Sequence, residues 1–508
     1  MLAVTAVAVA LYAVVRPLSA CRYPPMTDLP FHAAQTSTFR HYLDPSFHLK
    51  EQFELHPLGV PYMSMYAIGA VLMLVLPALT ATKIAAGVML ALLPAGLAVM
   101  FHGMKKSPLL GLLGLGALWV NLTHWGFLNF VGALGLFAMV IGLSLMLVDK
   151  PTKGRAVALA VTLVVLFFTH IFRFPFAMAA VAGTAIVMYP ATKRLRPIVA
   201  PLLPAVALFG LWLWARPKAL ESGSLPLELH KERLGEVKGL LVGSFADPME
   251  VPAFETFLRV MMAVAAASVA ISIVSLLLGV KRKEPWTWDL GVTVIPLACA
   301  AVFLFLFLAL PMQMGAWWYV YPREATAACF VALGAFPDLP KPAFLRAPFA
   351  AAIAWAGLSI TAVVAKNYAQ FDTVTNDFKV VADEVPRGSK LLYLIFDHSG
   401  STRTNTPFIH LPAYIQADKG GWLSFHFAMW GASPVLYRDP KEPGAVIPPP
   451  VPLRWEWTPQ AFNLQRQGAF FDWFLVRQRH SPDAIFAADK SIELVDHQGT
   501  FWLYRRKK

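Results

Sequence analysis

Long apolar runs constrain this chain more than any motif does. Stretches of about 17–25 apolar residues recur through the first 365 of its 508 positions, and about 20 helical residues cross the hydrocarbon core of a bilayer. Hydrophobic residues make up 57% of the chain and charged ones 14%, against about 25% charged in a typical soluble domain. A polytopic α-helical membrane protein is the fold class these features select. The net charge of +13 would otherwise suggest nucleic acid. Many basic residues, however, sit in short loops between apolar runs, where membrane topology accounts for them, and no nucleic-acid partner is expected.

Residues 2–18, 84–101, 109–124, 128–148, 156–170, 174–190, 198–215, 256–279, 290–311, 325–336 and 347–365 read as transmembrane helices, eleven in all. The loops richest in Lys and Arg hold Lys105/Lys106, Lys150/Lys153/Arg155, Lys193/Arg194/Arg196, Lys281/Arg282/Lys283 and Lys341/Arg346. The positive-inside rule puts all five in the cytoplasm. Residues 62–79 are apolar but short, with Pro61 ahead and Pro77 inside. Read as a helix lying at the outer interface rather than crossing, they place the N-terminus in the cytoplasm and residues 19–83 outside as a long first outer loop. The stretch 18-LSAC-21 resembles a lipoprotein cleavage box. Arg16 and Pro17 interrupt the apolar run before it and no basic residue precedes that run, so an uncleaved first span is expected. Cys21, Cys299 and Cys329 have no metal or disulfide spacing.

Residues 366–508 differ in kind from the transmembrane domain of residues 1–365. Phe371, Val374, Phe378, Val381 and Val385 recur at helical spacing. The runs 390-KLLYLIF-396 and 472-DWFLVRQ-478 read as strands, and 492-IELV-495 with 501-FWLYR-505 as a hairpin through His497-Gln498-Gly499. A small extracytoplasmic (periplasmic) α/β domain is expected on the outer face, with the proline-rich 443–452 as a loop within it.

Titratable chemistry concentrates in the first outer loop. Asp28, Asp44, Glu51 and Glu54 lie there with His32, His41, His48 and His56. Asp28 and His32, four residues apart, share a face if that stretch is helical, and a carboxylate just above a membrane suits a general base. A solvated loop with incidental charges is the competing reading. If a divalent metal ion binds at all, Asp28 and His32 are its candidate ligands, although no known ligand spacing is present. In 312-MQMGAWWYVYPRE-324 the aromatic residues suit a membrane-interface belt, while Arg323 and Glu324 open a span. A charge at that depth is a site hypothesis, and Arg suits a phosphate. His170 and Arg173 sit in one short outer turn and His124 in another. The triplet Asn121-Leu122-Thr123 is a sequon by pattern only. The run 397-DHSGS-401 reads as a strand-end turn, since a catalytic triad needs convergence in space rather than adjacency. The sequence has no P-loop, no GxGxxG and no HExxH.

An uncleaved first span, an outer loop with an early acid, an interfacial helix, many further spans and an outer C-terminal domain together resemble the GT-C glycosyltransferase superfamily. The likeness is to bacterial members, distantly akin to protein mannosyltransferases. It rests on 28-DLPFHAA-34, on 54-ELHPLGVPY-62 and on 125-WGFLNFVGALGLF-137. The superfamily's paired-acid motif is absent, because Leu29 follows Asp28. The resemblance implies an enzyme of the plasma (inner) membrane that takes a sugar from a polyprenyl-phosphate carrier and passes it to a glycan, lipid or protein acceptor outside. It implies catalytic roles for Asp28 and His32, and substrate contacts from Glu54, His56, His124, His170, Arg173, Tyr321 and Arg323. A transporter of a lipid-linked glycan would show mid-span charges and paired interrupted helices, which are scarce here. A non-catalytic assembly protein is the third reading.

Overall fold

A computed structural model of the chain describes residues 1–216, 227–280, 284–315, 317–400, 402–449 and 457–507. The basic triplet at 281–283 and residues 450–452 of the proline-rich loop lie outside the described residues. The principal helices are α1 (Leu2–Ser19), α2 (Leu29–His41), α3 (Ser64–Leu72), α4 (Ala78–Gly103), α5 (Leu128–Asp149), α6 (Lys153–Thr169), α7 (Arg173–Thr192), α8 (Val199–Ala215), α9 (Glu250–Leu277), α10 (Trp286–Ala309), α11 (Val320–Ala332), α12 (Ala343–Glu384) and α13 (Ala413–Lys419). Among the described residues, eight helices are long and apolar enough to cross a membrane: α1, α4, α5, α7, α8 with its preceding turn, α9, α10 and α12.

The other three sequence-assigned spans take shorter forms. α6 has 17 residues and α11 has 13. Residues 109–124 form a 3₁₀ stretch, Pro108–Ala117, and a short helix, Asn121–Trp125. Gly111, Gly114 and Gly116 in that run weaken an α-helix by roughly 1 kcal/mol each relative to alanine. Residues 62–79 also form no single helix: α3 ends at Leu72 and α4 begins at Ala78, just after Pro77.

Two compact units divide the chain: residues 1–19, 87–123 and 127–366 form one, and residues 20–86, 124–126 and 367–508 the other. The first outer loop, grouped with the helical half on sequence, thus shares a unit with the C-terminal segment.

In the helical unit α5 is the most enclosed span, with 83% of its most apolar window buried. Gly96 and Gly103 on α4 face Gly135 and Gly142 on α5, and any Cβ at these positions would collide with the opposing backbone. Small residues at seven-residue spacing let two apolar helices approach this closely where water supplies no driving force. Gly135→Leu is expected to destabilise the unit by about 1–3 kcal/mol or more. An unchanged melting temperature in detergent would show that the seam is not needed.

The loops grouped by the positive-inside rule meet at one end of this unit. Lys105 Nζ pairs with Asp149 at 3.1 Å and Glu284 at 2.8 Å, and Arg194 donates to the Asp149 carbonyl. Lys106 Nζ donates to the Phe336 carbonyl at 2.6 Å, and the Ser107 amide to Asp338 Oδ1 at 2.7 Å.

The second unit is built on a sheet. Its strands are β1 (Phe53–Leu55), β2 (Lys390–Ile395), β3 (Trp422–Leu423), β4 (Val435–Tyr437), β5 (Trp473–Arg477), β6 (Ile492–Gln498) and β7 (Phe501–Arg506). The five-stranded order is β3-β2-β5-β7-β6; β2 runs parallel to β3 and β5, while β7 runs antiparallel to β5 and β6. β2 and β5 occupy the two runs read as strands, and β6–β7 is the hairpin. Among the described residues β1 pairs with β4 alone. Phe371, Phe378, Val381 and Val385 pack on the sheet beside Leu392 and Leu475. Tyr23 and Phe31 from the first outer loop enter the same core, which ties that loop to the sheet.

Candidate active site

Asp28 is the N-cap residue of α2, and Pro30 follows within its first turn. Its carboxylate makes no capping bond to the helix and is turned elsewhere. The Thr27 amide donates to the His124 carbonyl at 2.9 Å, and the Asp28 amide to the Trp125 carbonyl at 3.0 Å. Gly126, at φ +95, completes this brace: a Cβ there would lie 2.9 Å from Asp28 Cβ. Only glycine meets both the left-handed backbone and the close approach.

His32 follows one helical turn later, on the face the i, i+4 spacing predicts. Its Nε2 is 2.9 Å from the Gly126 carbonyl, so that nitrogen carries the proton and donates. Its Nδ1 is 2.9 Å from the Tyr66 hydroxyl on α3, which donates to it. Both ring nitrogens are therefore engaged in the neutral form. Burial holds the His32 pKa below the ordinary imidazole range, against the upward pull of the Asp28 charge and the Gly126 carbonyl.

The third member was not singled out from sequence. His410 Nδ1 lies 3.2 Å from Asp28 Oδ1 and 3.1 Å from the Thr27 carbonyl. Aromatic rings fix its orientation: Phe31 meets it edge-on at 4.8 Å, and Phe425 stacks on it at 5.8 Å. The His410 side chain is 7% exposed and that of Asp28 16%. The carboxylate is thus held from behind while part of it stays open. An anion at a helix N-terminus also sits where the helix dipole favours negative charge.

The pH dependence follows from His32. A folded-state pKa below the unfolded value of about 6.5 gives stability that is present above that value and is lost as pH falls toward the lowered one. Below about pH 6.5 the protein should lose stability more steeply than His32→Gln, whose amide can keep the bond to Gly126 without titrating. Parallel melting curves against pH for the two proteins would remove His32 from this account.

The remaining candidates fall into separate groups. Glu54 Oε1 and His56 Nε2 pair at 2.9 Å, with both side chains well exposed. His124 contributes its carbonyl to the Asp28 brace, and its buried ring lies 3.2 Å from the Tyr368 hydroxyl through Nδ1. In the helical unit Arg173, at the start of α7, forms a buried ion pair with Glu324 on α11. The rings of Phe130, Phe176 and Phe303 surround the Arg173 guanidinium at 4.8–5.4 Å. His170, whose amide closes the end of α6, stands edge-on to Phe130 at 5.3 Å. Arg173 and Arg323 both act electrostatically on His170 and on Glu324. Arg323 itself is partly exposed, stacks over Phe127 at 4.1 Å and donates to the Trp318 carbonyl at 2.8 Å. The Tyr321 hydroxyl donates to Glu236 at 2.9 Å, and Arg233 lies 3.9 Å over its ring.

A divalent metal ion does not suit the Asp28 group. Both His32 nitrogens are taken, and His410 turns a proton-bearing nitrogen toward the carboxylate. No cluster of three or more potential ligands occurs among the described residues.

Over 99% of its length the chain adopts a polytopic helical fold shared with a solved structure. The crystal structure of ArnT from Cupriavidus metallidurans bound to undecaprenyl phosphate superposes with a TM-score of 0.55 at 14% identity, over 99% of this chain and 97% of that one. The apo form of the same protein gives a TM-score of 0.48 at 13% identity, over the same shares. The mycobacterial arabinofuranosyltransferase AftD gives 0.47 at 14% identity, over all of this chain and 40% of that one. No protein-family model matches the sequence, and no curated protein does.

Proposed function

We propose that the chain is an integral membrane glycosyltransferase of the plasma membrane. It moves a sugar from a polyprenyl-phosphate carrier to a hydroxyl acceptor on the outer face, with its N-terminus in the cytoplasm and residues 366–508 outside. The observation that carries this reading is Asp28, an open carboxylate at a helix N-terminus gripped by His410 and flanked by a neutral His32. The GT-C fold and the undecaprenyl phosphate bound by ArnT support the choice of donor class.

In the proposed step the acceptor hydroxyl gives its proton to the Asp28 carboxylate as its oxygen bonds to the anomeric carbon. The bond from that carbon to the phosphate oxygen breaks, and the polyprenyl phosphate leaves with the electron pair. General-base help of this kind contributes about 10²–10⁴-fold. His410 holds the carboxylate in place, and His32, with both nitrogens engaged, braces the Gly126 segment rather than exchanging protons. Arg323, in the helical unit, is a separate candidate for phosphate contact on the chemistry of its guanidinium alone. Donor and acceptor classes can be screened in proteoliposomes carrying a radiolabelled polyprenyl-phosphate sugar. Label appearing in a new glycoside supports the reading. Label crossing the bilayer on its intact carrier, with no glycoside formed, makes the protein a transporter instead.

A further inference from the structure

A cavity of about 390 Å³ lies inside the second unit and shares no lining residue with the Asp28 group. Its volume falls in the range of small-molecule sites, about 300–1,000 Å³. Its floor is aromatic, with Tyr23 edge-on to Phe378 at 5.3 Å and tilted against Tyr414 at 5.1 Å. The Tyr414 hydroxyl is buried and has no hydrogen-bond partner among the described residues.

Charge around this cavity divides by chain segment. Arg22 and Lys83 supply cations from the residues after α1 and from the opening turns of α4. Asp383 and Asp418 supply carboxylates from the end of α12 and from α13. The remaining charged residue of the lining, Lys419, is already engaged, since its ammonium donates to the carbonyls of Ala382, Asp383 and Val385 at 2.6–2.8 Å. Lys83 gives one donor to the Cys21 carbonyl at 2.8 Å. Among the described residues the Asp383 carboxylate has a loose pair with Lys379, at 3.8 Å. α1 and α4 are both apolar enough to span, so Arg22 and Lys83 stand where spans end, at headgroup depth.

We propose that this cavity holds the headgroup of a zwitterionic phospholipid of the phosphoethanolamine class. The phosphate lies on Arg22 and Lys83 and the ammonium on Asp383 and Asp418, with Leu79 and Ile415 against the start of the acyl chains. A purely anionic headgroup would meet the cations but set its charge beside two carboxylates. A choline headgroup has no N–H to donate to them.

Native mass spectrometry of the full chain in detergent tests this, titrated with phosphatidylethanolamine, phosphatidylglycerol, phosphatidylcholine or water-soluble glycerophosphoethanolamine. Phosphatidylethanolamine is expected to bind about tenfold tighter than either other lipid, the scale of one charge-assisted contact. Asp418→Asn should bring it down toward the phosphatidylglycerol level without weakening phosphatidylglycerol, while Arg22→Gln should weaken all three lipids. Equal binding of the ethanolamine and glycerol lipids overturns the proposal, as does indifference to Asp418→Asn. Equal binding of glycerophosphoethanolamine overturns the lipid assignment. Melting temperature reports folding of each variant, and Asp418, on the exposed end of α13, decides the matter alone if Arg22→Gln does not fold.

Discussion

Asp28→Asn is expected to cut sugar transfer by about 10²–10⁴-fold, the usual loss when a general base is removed, while leaving the melting temperature near that of the parent. The substitution keeps the shape of the side chain, and its amide oxygen can still accept from His410 Nδ1 across the 3.2 Å gap. What disappears is the charge and the capacity to take a proton. Initial rates at saturating donor and acceptor measure the effect. A variant retaining more than about a tenth of the parent rate would falsify the base assignment, because a factor of ten is only about 1.4 kcal/mol of barrier. Loss of folding would instead be visible in the melting curve and would leave the chemistry to be read from His410→Asn, which removes the grip and keeps the carboxylate.

The second large effect concerns the helical unit. Glu324→Gln should lower its stability by about 3–5 kcal/mol, the cost of leaving one partner of a buried ion pair charged and alone. The three phenylalanine rings around Arg173 soften that cost but cannot replace a carboxylate, and the Arg173 Nε and Nη1 already have no acceptor among the described residues. The double change Arg173→Met with Glu324→Met removes both charges and should be much milder, because apolar replacement of a whole buried pair is often neutral or stabilising. Melting of all three proteins in the same detergent decides the matter. A double variant as unstable as the single one would mean that the pair contributes by shape rather than by charge.

Much of the fold was legible in the sequence because bilayer thickness turns apolar run length into helix length. The same logic stopped short at 109–124, where composition matched a span but glycine spacing did not support an α-helix. The polar half of the site was legible as far as local spacing reaches: Asp28 and His32 lie one helical turn apart, and the turn formed. His410 was not, although a lone histidine inside the apolar run 407-PFIHLPAYI-415 was a usable signal. Nothing local says what such a histidine meets. Tyr66 was hidden for the opposite reason, since an aromatic residue in an interfacial helix looks like membrane anchoring. The Arg173–Glu324 pair joins positions 151 apart in sequence, and only the rule that buried charges find partners pointed to it.

Asp28 and His410 are separated by most of the chain, and that separation imposes an order of events. At about 5–20 residues per second of synthesis, His410 leaves the ribosome roughly 20–80 s after Asp28. Through that interval α2 is made but its aromatic anchor Phe31 has no sheet to enter, because the strands that bury it are still to come. The Asp28–His410 pair is therefore assembled last, after the apolar helices have been made. A nascent or prematurely terminated chain carries the Asp28 carboxylate without its His410 grip.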